Sequence, residues 1–166
     1  MISAAILTLS DKGSKGERED LGGPLIREMI GRINAEVLYY DVIPDEKEMI
    51  KAKLVEYSKS VDLVLTTGGT GLSPRDVTPE ATLEILDKEI PGIAETMRLE
   101  GMKKTNRAML SRAVAGIRGK TLIINLPGSP KAVKEGLEAI MDIIPHAIEK
   151  VKGSTGDCAV QEALKR

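Results

Sequence analysis

The residues best equipped for chemistry lie in the run Thr66-Thr67-Gly68-Gly69-Thr70-Gly71-Leu72-Ser73-Pro74-Arg75-Asp76-Val77-Thr78-Pro79. It follows the apolar stretch Val61, Leu63, Val64, Leu65 and precedes a helical pattern. Closely spaced glycines let backbone amides approach a ligand where a Cβ would stand in the way. A helix opening at Thr78-Pro79 adds orphan N–H groups and a positive dipole end, which suits a phosphate. Asp76 would repel a bare phosphate but could hold the magnesium ion that accompanies one. The loop therefore reads as a site for a metal-bound phosphoanhydride or phosphate ester. It matches neither the Gly-Lys-Ser/Thr ending of a P-loop nor the dinucleotide fingerprint. Glycine-rich strand-to-helix turns also serve as plain tight connections, so spacing alone leaves both readings open.

Three further stretches carry polar groups in similar positions: Ser10-Asp11, Pro44-Asp45 and Asn125-Leu126-Pro127-Gly128-Ser129-Pro130. Asp45 and Glu48 have the spacing of a capping box with Asp in place of Ser or Thr. A cap alone would account for Asp45, typically contributing ~1 kcal/mol, and it does not exclude a metal contact. Ser129 before Pro130 reads as an N-cap followed by the first helical position.

Alternating strands and helices must position these groups. Ala4 to Leu9 is an almost continuous apolar run, as in a strand buried on both faces. A polar loop, Lys12 to Glu19, leads to a helix with Pro24 at its first position and Leu25, Ile26, Met29, Ile30 and Ile33 at helical spacing. A strand over Glu36 to Ile43 precedes a helix carrying Met49, Ile50, Leu54 and Val55. Beyond the glycine loop come helical segments around Ala81 to Leu86 and Ile93 to Met102, then a short strand ending near Arg118. Gly119-Lys120 turns the chain into Thr121 to Leu126, a buried strand, and a last helix is divided by Pro145. This order predicts an α/β fold with a mainly parallel sheet covered on both faces. Ligands in such sheets sit beyond the carboxyl ends of the strands, and all four marked stretches follow a strand. They should converge on one rim.

The 166 residues suit one domain, expected over 1–152 with a tail at 153–166. Lys and Arg number 24 against 25 Asp and Glu, for a net charge of -1, so no global field points to nucleic acid or membrane. With no Phe or Trp and three Tyr, stacking platforms for single-stranded nucleic acid are lacking as well. No long apolar span exists, and the first residues lack the pattern of a cleavable leader. Cys158 is the one cysteine, which rules out an internal disulfide and fits a reducing cytoplasm. A single histidine, His146, gives a nucleophile–histidine mechanism poor support.

The run Gly68-Gly69-Thr70-Gly71, then Arg75-Asp76-Val77-Thr78-Pro79-Glu80-Ala81-Thr82, resembles the signature of the MogA/MoaB family, whose module also forms the G domain of gephyrin. The likeness extends over Ile2 to Val151 and takes in Ser10-Asp11 with Gly16, Asp20 and Gly22, Leu110-Ser111-Arg112, and Asn125 to Pro130. It implies a three-layer α/β/α sandwich, usually trimeric and possibly hexameric. It also implies molybdopterin adenylyltransferase activity: AMP passes from Mg-ATP to the terminal phosphate of molybdopterin and pyrophosphate leaves. The product would go to a downstream protein that inserts molybdenum or tungsten.

Carried over, Asp45 and Asp76 become the catalytic pair and the Mg²⁺ ligands. Gly68, Gly69, Thr70 and Gly71 line the nucleotide phosphates. Ser10, Asp11, Ser73, Thr78, Ser111, Arg112, Asn125, Pro127, Gly128 and Ser129 become substrate contacts, and Arg75 either joins them or pairs with an acid to hold the loop. Two other readings remain at this point: a non-catalytic molybdopterin-binding protein of MoaB type, and a CinA-like hydrolase of nucleotide cofactors.

Overall fold

The first apolar run forms strand β1 (Ile2–Leu9), and its side chains divide by parity as a pleat requires. Ala4 and Ile6 enter one apolar cluster, while Ala5, Leu7 and Leu9 enter another. A strand buried on both faces needs a cover on each, and the computed structural model, which describes residues 1–154, supplies it. The chain runs on through α1 (Asp11–Ser14), α2 (Gly22–Ile30) with a 3-10 extension (Gly31–Ile33), β2 (Ala35–Ile43), α3 (Lys47–Tyr57) and β3 (Leu63–Thr67). Then follow α4 (Thr78–Leu83), β4 (Lys88–Glu89), α5 (Pro91–Met102), a 3-10 helix (Asn106–Leu110), β5 (Ala115–Arg118), β6 (Thr121–Leu126), α6 (Pro130–Ile140) and α7 (Ile144–Val151).

The sheet has the order β2-β1-β3-β6-β5-β4. The first four strands are parallel; at the far edge β5 pairs antiparallel with β6, and the short β4 pairs antiparallel with β5. On one face, Ile26 and Met29 of α2, Ile93 and Met97 of α5, Val133 and Leu137 of α6, and Ile144 and Ile148 of α7 pack over Ile6, Leu65 and Ile124. On the other, Ile50 and Leu54 of α3 and Ala81 of α4 pack over Leu7, Val64 and Ile123. Each such Ile, Leu, Val or Met side chain contributes roughly 1.5–3 kcal/mol when fully buried. The architecture is thus the expected three-layer α/β/α sandwich with a mainly parallel sheet.

Local differences from the sequence reading have identifiable causes. The polar loop after β1 opens with the helical turn α1 because the Ser10 Oγ accepts the Gly13 N–H at 2.9 Å. Helix α2 starts two residues ahead of Pro24, since the Asp20 Oδ1 takes the N–H groups of Gly22 and Gly23 at 3.0 and 3.1 Å. Strand β4 was not anticipated. Ser129 does cap α6, accepting from the Ala132 amide at 3.3 Å, with Pro130 in the first turn. Pro145 lies in the first turn of α7, so the last helix is divided there. Cys158 and the tail from 155 onward lie outside the described residues.

Candidate active site

Strands β1, β3 and β6 end side by side, at Leu9, Thr67 and Leu126, and the chain leaves each end over the same rim. The glycine loop crosses this rim in contact with its neighbours. Gly68 has φ +97°, and a Cβ there would lie 2.4 Å from the Leu9 carbonyl oxygen. Gly69 has φ +67°, and its Cβ would lie 2.2 Å from the Thr78 Oγ1 and 3.0 Å from the Asp45 Oδ1. Only glycine meets both demands, a left-handed backbone and a close approach. The loop is pinned by the Thr78 N–H on the Gly69 carbonyl (3.1 Å), the Thr78 hydroxyl on the Gly68 carbonyl (3.0 Å) and the Gly68 N–H on the Leu126 carbonyl (3.3 Å). No acceptor among the described residues takes the N–H of Gly69, Thr70 or Gly71. Orphan amides of this kind stand ready for an anion.

The loop separates two cavities. The first, about 700 Å³, is lined by Ser10, Asp11, Asp45, Gly68, Gly69, Asp76, Gly128 and Ser129, together with Lys12, Arg18 and Asp20. The second, about 480 Å³, lies between the loop, α5, the 3-10 helix and α6. Thr70, Gly71, Ser111, Pro127 and Ser129 line it beside the apolar Leu72, Ala94, Met97 and Leu110. Ser129 borders both cavities, so ligands in the two would meet at the loop and the start of α6.

Asp45 and Asp76, from loops far apart in the chain, face the same cavity. The capping-box reading of Asp45 does not hold: α3 begins at Lys47 with Glu46 as N-cap and no side-chain cap bond. Asp45 turns to α1 instead. Its Oδ2 accepts the Asp11 N–H at 3.1 Å, and the Asp11 Oδ1 accepts the Asp45 N–H at 3.0 Å. Burial, above all, pushes the Asp45 carboxyl above its usual range. The Asp11 amide opposes this, while the charges of Asp11 and Asp76 add to it. Asp76 accepts the Ser73 N–H on Oδ2 at 2.9 Å. Asp11 is held at about 2, chiefly by hydrogen bonds from Arg75.

Several motif residues face away from both cavities. Arg75 forms a two-pronged bridge to Asp11 (3.0 and 2.8 Å) and a bond to Glu46 (2.9 Å), which is the loop-holding alternative. Thr78 is fully buried against Gly68. Asn125, also fully buried, donates to the Thr66 and Thr82 hydroxyls, each at 3.0 Å, and accepts from the Val114 N–H at 3.3 Å. The Arg112 guanidinium holds loop carbonyls and Glu80. Ser73 turns the loop back on itself through Asp76.

Sequence reasoning did not select Lys12, Arg18 or Asp20 as site residues. The basic residues were visible in the polar loop that follows a strand at the ligand edge. Asp20 accepts from Thr8 (2.6 Å), Tyr40, Gly22 and Gly23, and these bonds outweigh its burial, leaving its carboxyl below the usual value. It holds the cavity wall and the start of α2 together.

The arrangement suits Mg²⁺. Asp45 is a half-buried carboxylate whose charge is opposed by burial and by two neighbouring acids, a condition that a cation relieves. No group of three or more acidic, His or Cys side chains among the described residues forms a metal cage. Mg²⁺ does not require one, because it commonly binds through one or two carboxylates, substrate phosphates and water.

Comparison with known proteins gives the family and the fold. A family model described as "Probable molybdopterin binding domain" matches residues 5–146. The chain is 43% identical over 157 residues to the molybdopterin adenylyltransferase of Helicobacter pylori strain 26695, covering 92% of this chain and 89% of that protein. The structure of the molybdopterin biosynthesis enzyme MoaB from Thermus thermophilus superposes with a TM-score of 0.88 at 54% identity, covering 93% of this chain and 98% of that one. The tungsten cofactor synthesizing protein MoaB from Pyrococcus furiosus does so with a TM-score of 0.84 at 40% identity, covering 90% and 96%.

Proposed function

Because the chain belongs to the molybdopterin-binding domain family, we propose that it is a molybdopterin adenylyltransferase, transferring AMP from Mg-ATP to the terminal phosphate of molybdopterin with release of pyrophosphate. The observation that carries this reading is the placement of Asp45 and Asp76 on one cavity beside a glycine loop with open amides. In the reaction a phosphate oxygen of molybdopterin forms the bond to the α-phosphorus of ATP, and the bond from that phosphorus to the β-phosphate oxygen breaks. The nucleophile is already an anion, so no base has to deprotonate it, which fits a chain with one histidine.

Asp45 and Asp76 would hold the Mg²⁺ ion, which supplies positive charge to the transferred and leaving phosphates. The amides of Gly69, Thr70 and Gly71 bind phosphate oxygens. Lys12 and Arg18 add positive charge to the first cavity, which takes the pterin and its phosphate. The second, more apolar cavity takes the adenine. Held on either side of Ser129 and the loop, the two substrates react without a search for each other.

In the same reading the protein works as a homotrimer or a pair of trimers in the cytoplasm and passes the adenylylated pterin to a metal-insertion protein. No helix among the described residues is long and apolar enough to cross a membrane. Purified protein given molybdopterin, Mg²⁺ and ATP is expected to release pyrophosphate, and omission of any one should stop release. Tight pterin binding without pyrophosphate would mark a non-catalytic binding protein instead.

A further inference from the structure

We propose that Arg112 is a positioning residue for Asp76, oriented by Glu80, and not a substrate contact. Arg112 holds the two ends of the glycine loop at once. Its backbone N–H donates to the Thr70 carbonyl (2.9 Å), its Nε to the Gly71 carbonyl (2.8 Å) and its Nη2 to the carbonyl of Asp76 itself (2.8 Å). Its Nη1 pairs with the Glu80 Oε1. The guanidinium lines neither cavity.

Asp76 is thereby fixed from two directions. Arg112 takes its carbonyl, and Ser73 exchanges bonds with its amide and its carboxylate, both at 2.9 Å. The carboxylate is left over Gly71, where a Cβ would lie 2.8 Å from the Asp76 Oδ2. Glu80 reaches Arg112 from the first turn of α4, and its Oε2 is buried with no partner. The bond from Arg112 to Oε1 is thus the one side-chain hydrogen bond of this carboxylate among the described residues, and it sets the direction of the guanidinium. The planar fork of arginine can meet three acceptors in fixed directions, which a lysine ammonium on its flexible stem does not reproduce.

This inference rests on the adenylyl-transfer reading for its kinetic consequence, and its structural consequence is measurable without turnover. Arg112→Lys and Glu80→Gln are compared with wild type in three measurements. The first is amide hydrogen exchange of the ligand-free protein, where the Ser73 and Asp76 amides should lose protection while β1, β3 and β6 keep theirs. The second is the Mg²⁺ concentration for half-maximal pyrophosphate release, expected to rise about tenfold, as for loss of a partner that orients a metal ligand. The third is the Kd for molybdopterin without Mg²⁺, expected to stay within about twofold. Glu80→Gln keeps the shape of the side chain and serves as the test if Arg112→Lys folds poorly. A loss of molybdopterin affinity with unchanged Mg²⁺ requirement would make Arg112 a ligand contact and overturn the proposal. Unchanged loop protection in both variants would overturn it too. Absence of pyrophosphate release from wild type would refute the functional reading instead, leaving the exchange measurement to judge the clamp.

Discussion

The two carboxylates proposed as the metal-binding pair are held in opposite ways. Asp45 and Asp11, the first residue of α1, each accept the other's backbone N–H on a carboxylate oxygen, and Asp11 is gripped by Arg75, whose side chain is 53% exposed. Asp76 is held within its own loop by Ser73, and that loop is clamped by Arg112, 35% exposed and bonded to two backbone carbonyls. Exposed ion pairs gain little and are screened by salt, whereas charged donors on partly buried carbonyls are stronger and directional. The Asp45 side is therefore the adjustable one and the Asp76 side the fixed one. A loop that must hold open amides in place needs the firmer anchoring.

The largest expected effect tests whether both carboxylates are needed. Asp76→Asn and Asp45→Ala should each lower turnover by on the order of a hundredfold or more, with molybdopterin binding by Asp76→Asn largely retained. Pyrophosphate release and pterin titration would show it, and full rates in both variants would remove the metal–carboxylate mechanism. Next come the glycines that lie against each acid. Gly69→Ala meets a positive φ and the Thr78 hydroxyl, and should lose about 1–3 kcal/mol of stability. Gly71→Ala meets only the Asp76 carboxylate, so urea melts should show near wild-type stability while activity falls.

A smaller effect concerns pH. Asp45 is raised above its unfolded value, so in the window between the two the native state binds more protons than the unfolded chain. Stability is then lost as pH rises through that window, and the ionised side chain costs stability above it. Asp45→Asn should flatten this dependence and raise Tm near neutral pH. Thermal melts from pH 4 to 8 without metal would check it, and an unchanged profile would count against buried charge at this position. The smallest effect is Arg75→Gln, which should change kcat/KM by about fivefold or less, fading as salt is added. A loss as large as that of Arg112→Lys would erase the contrast between the two sides.

The sheet and its ligand rim were legible because β1, β3 and β6 are short apolar runs, each followed by glycine, proline or capping residues. Strand β4 was not, since Lys88 and Glu89 are polar and exposed and pair with β5 through their backbones alone. Asp45 was misread as a cap because local spacing is blind to Asp11, which meets it only after β1 and β2 have paired. Arg112, Thr78 and Asn125 carry the motif, yet nothing in a motif tells whether a polar side chain faces a ligand or braces the loop that does.

Asn125 also bears on how the chain finds its fold. In β6 it sits opposite Thr66 of β3, inside the layer that contains Ile123 and Val64. Sliding β6 by one residue would turn its amide into the apolar layer of Val133 and Leu137, away from the hydroxyls of Thr66 and Thr82. A central strand that is aliphatic at Leu122, Ile123, Ile124 and Leu126 thus carries inside it one residue that penalises a misaligned pairing.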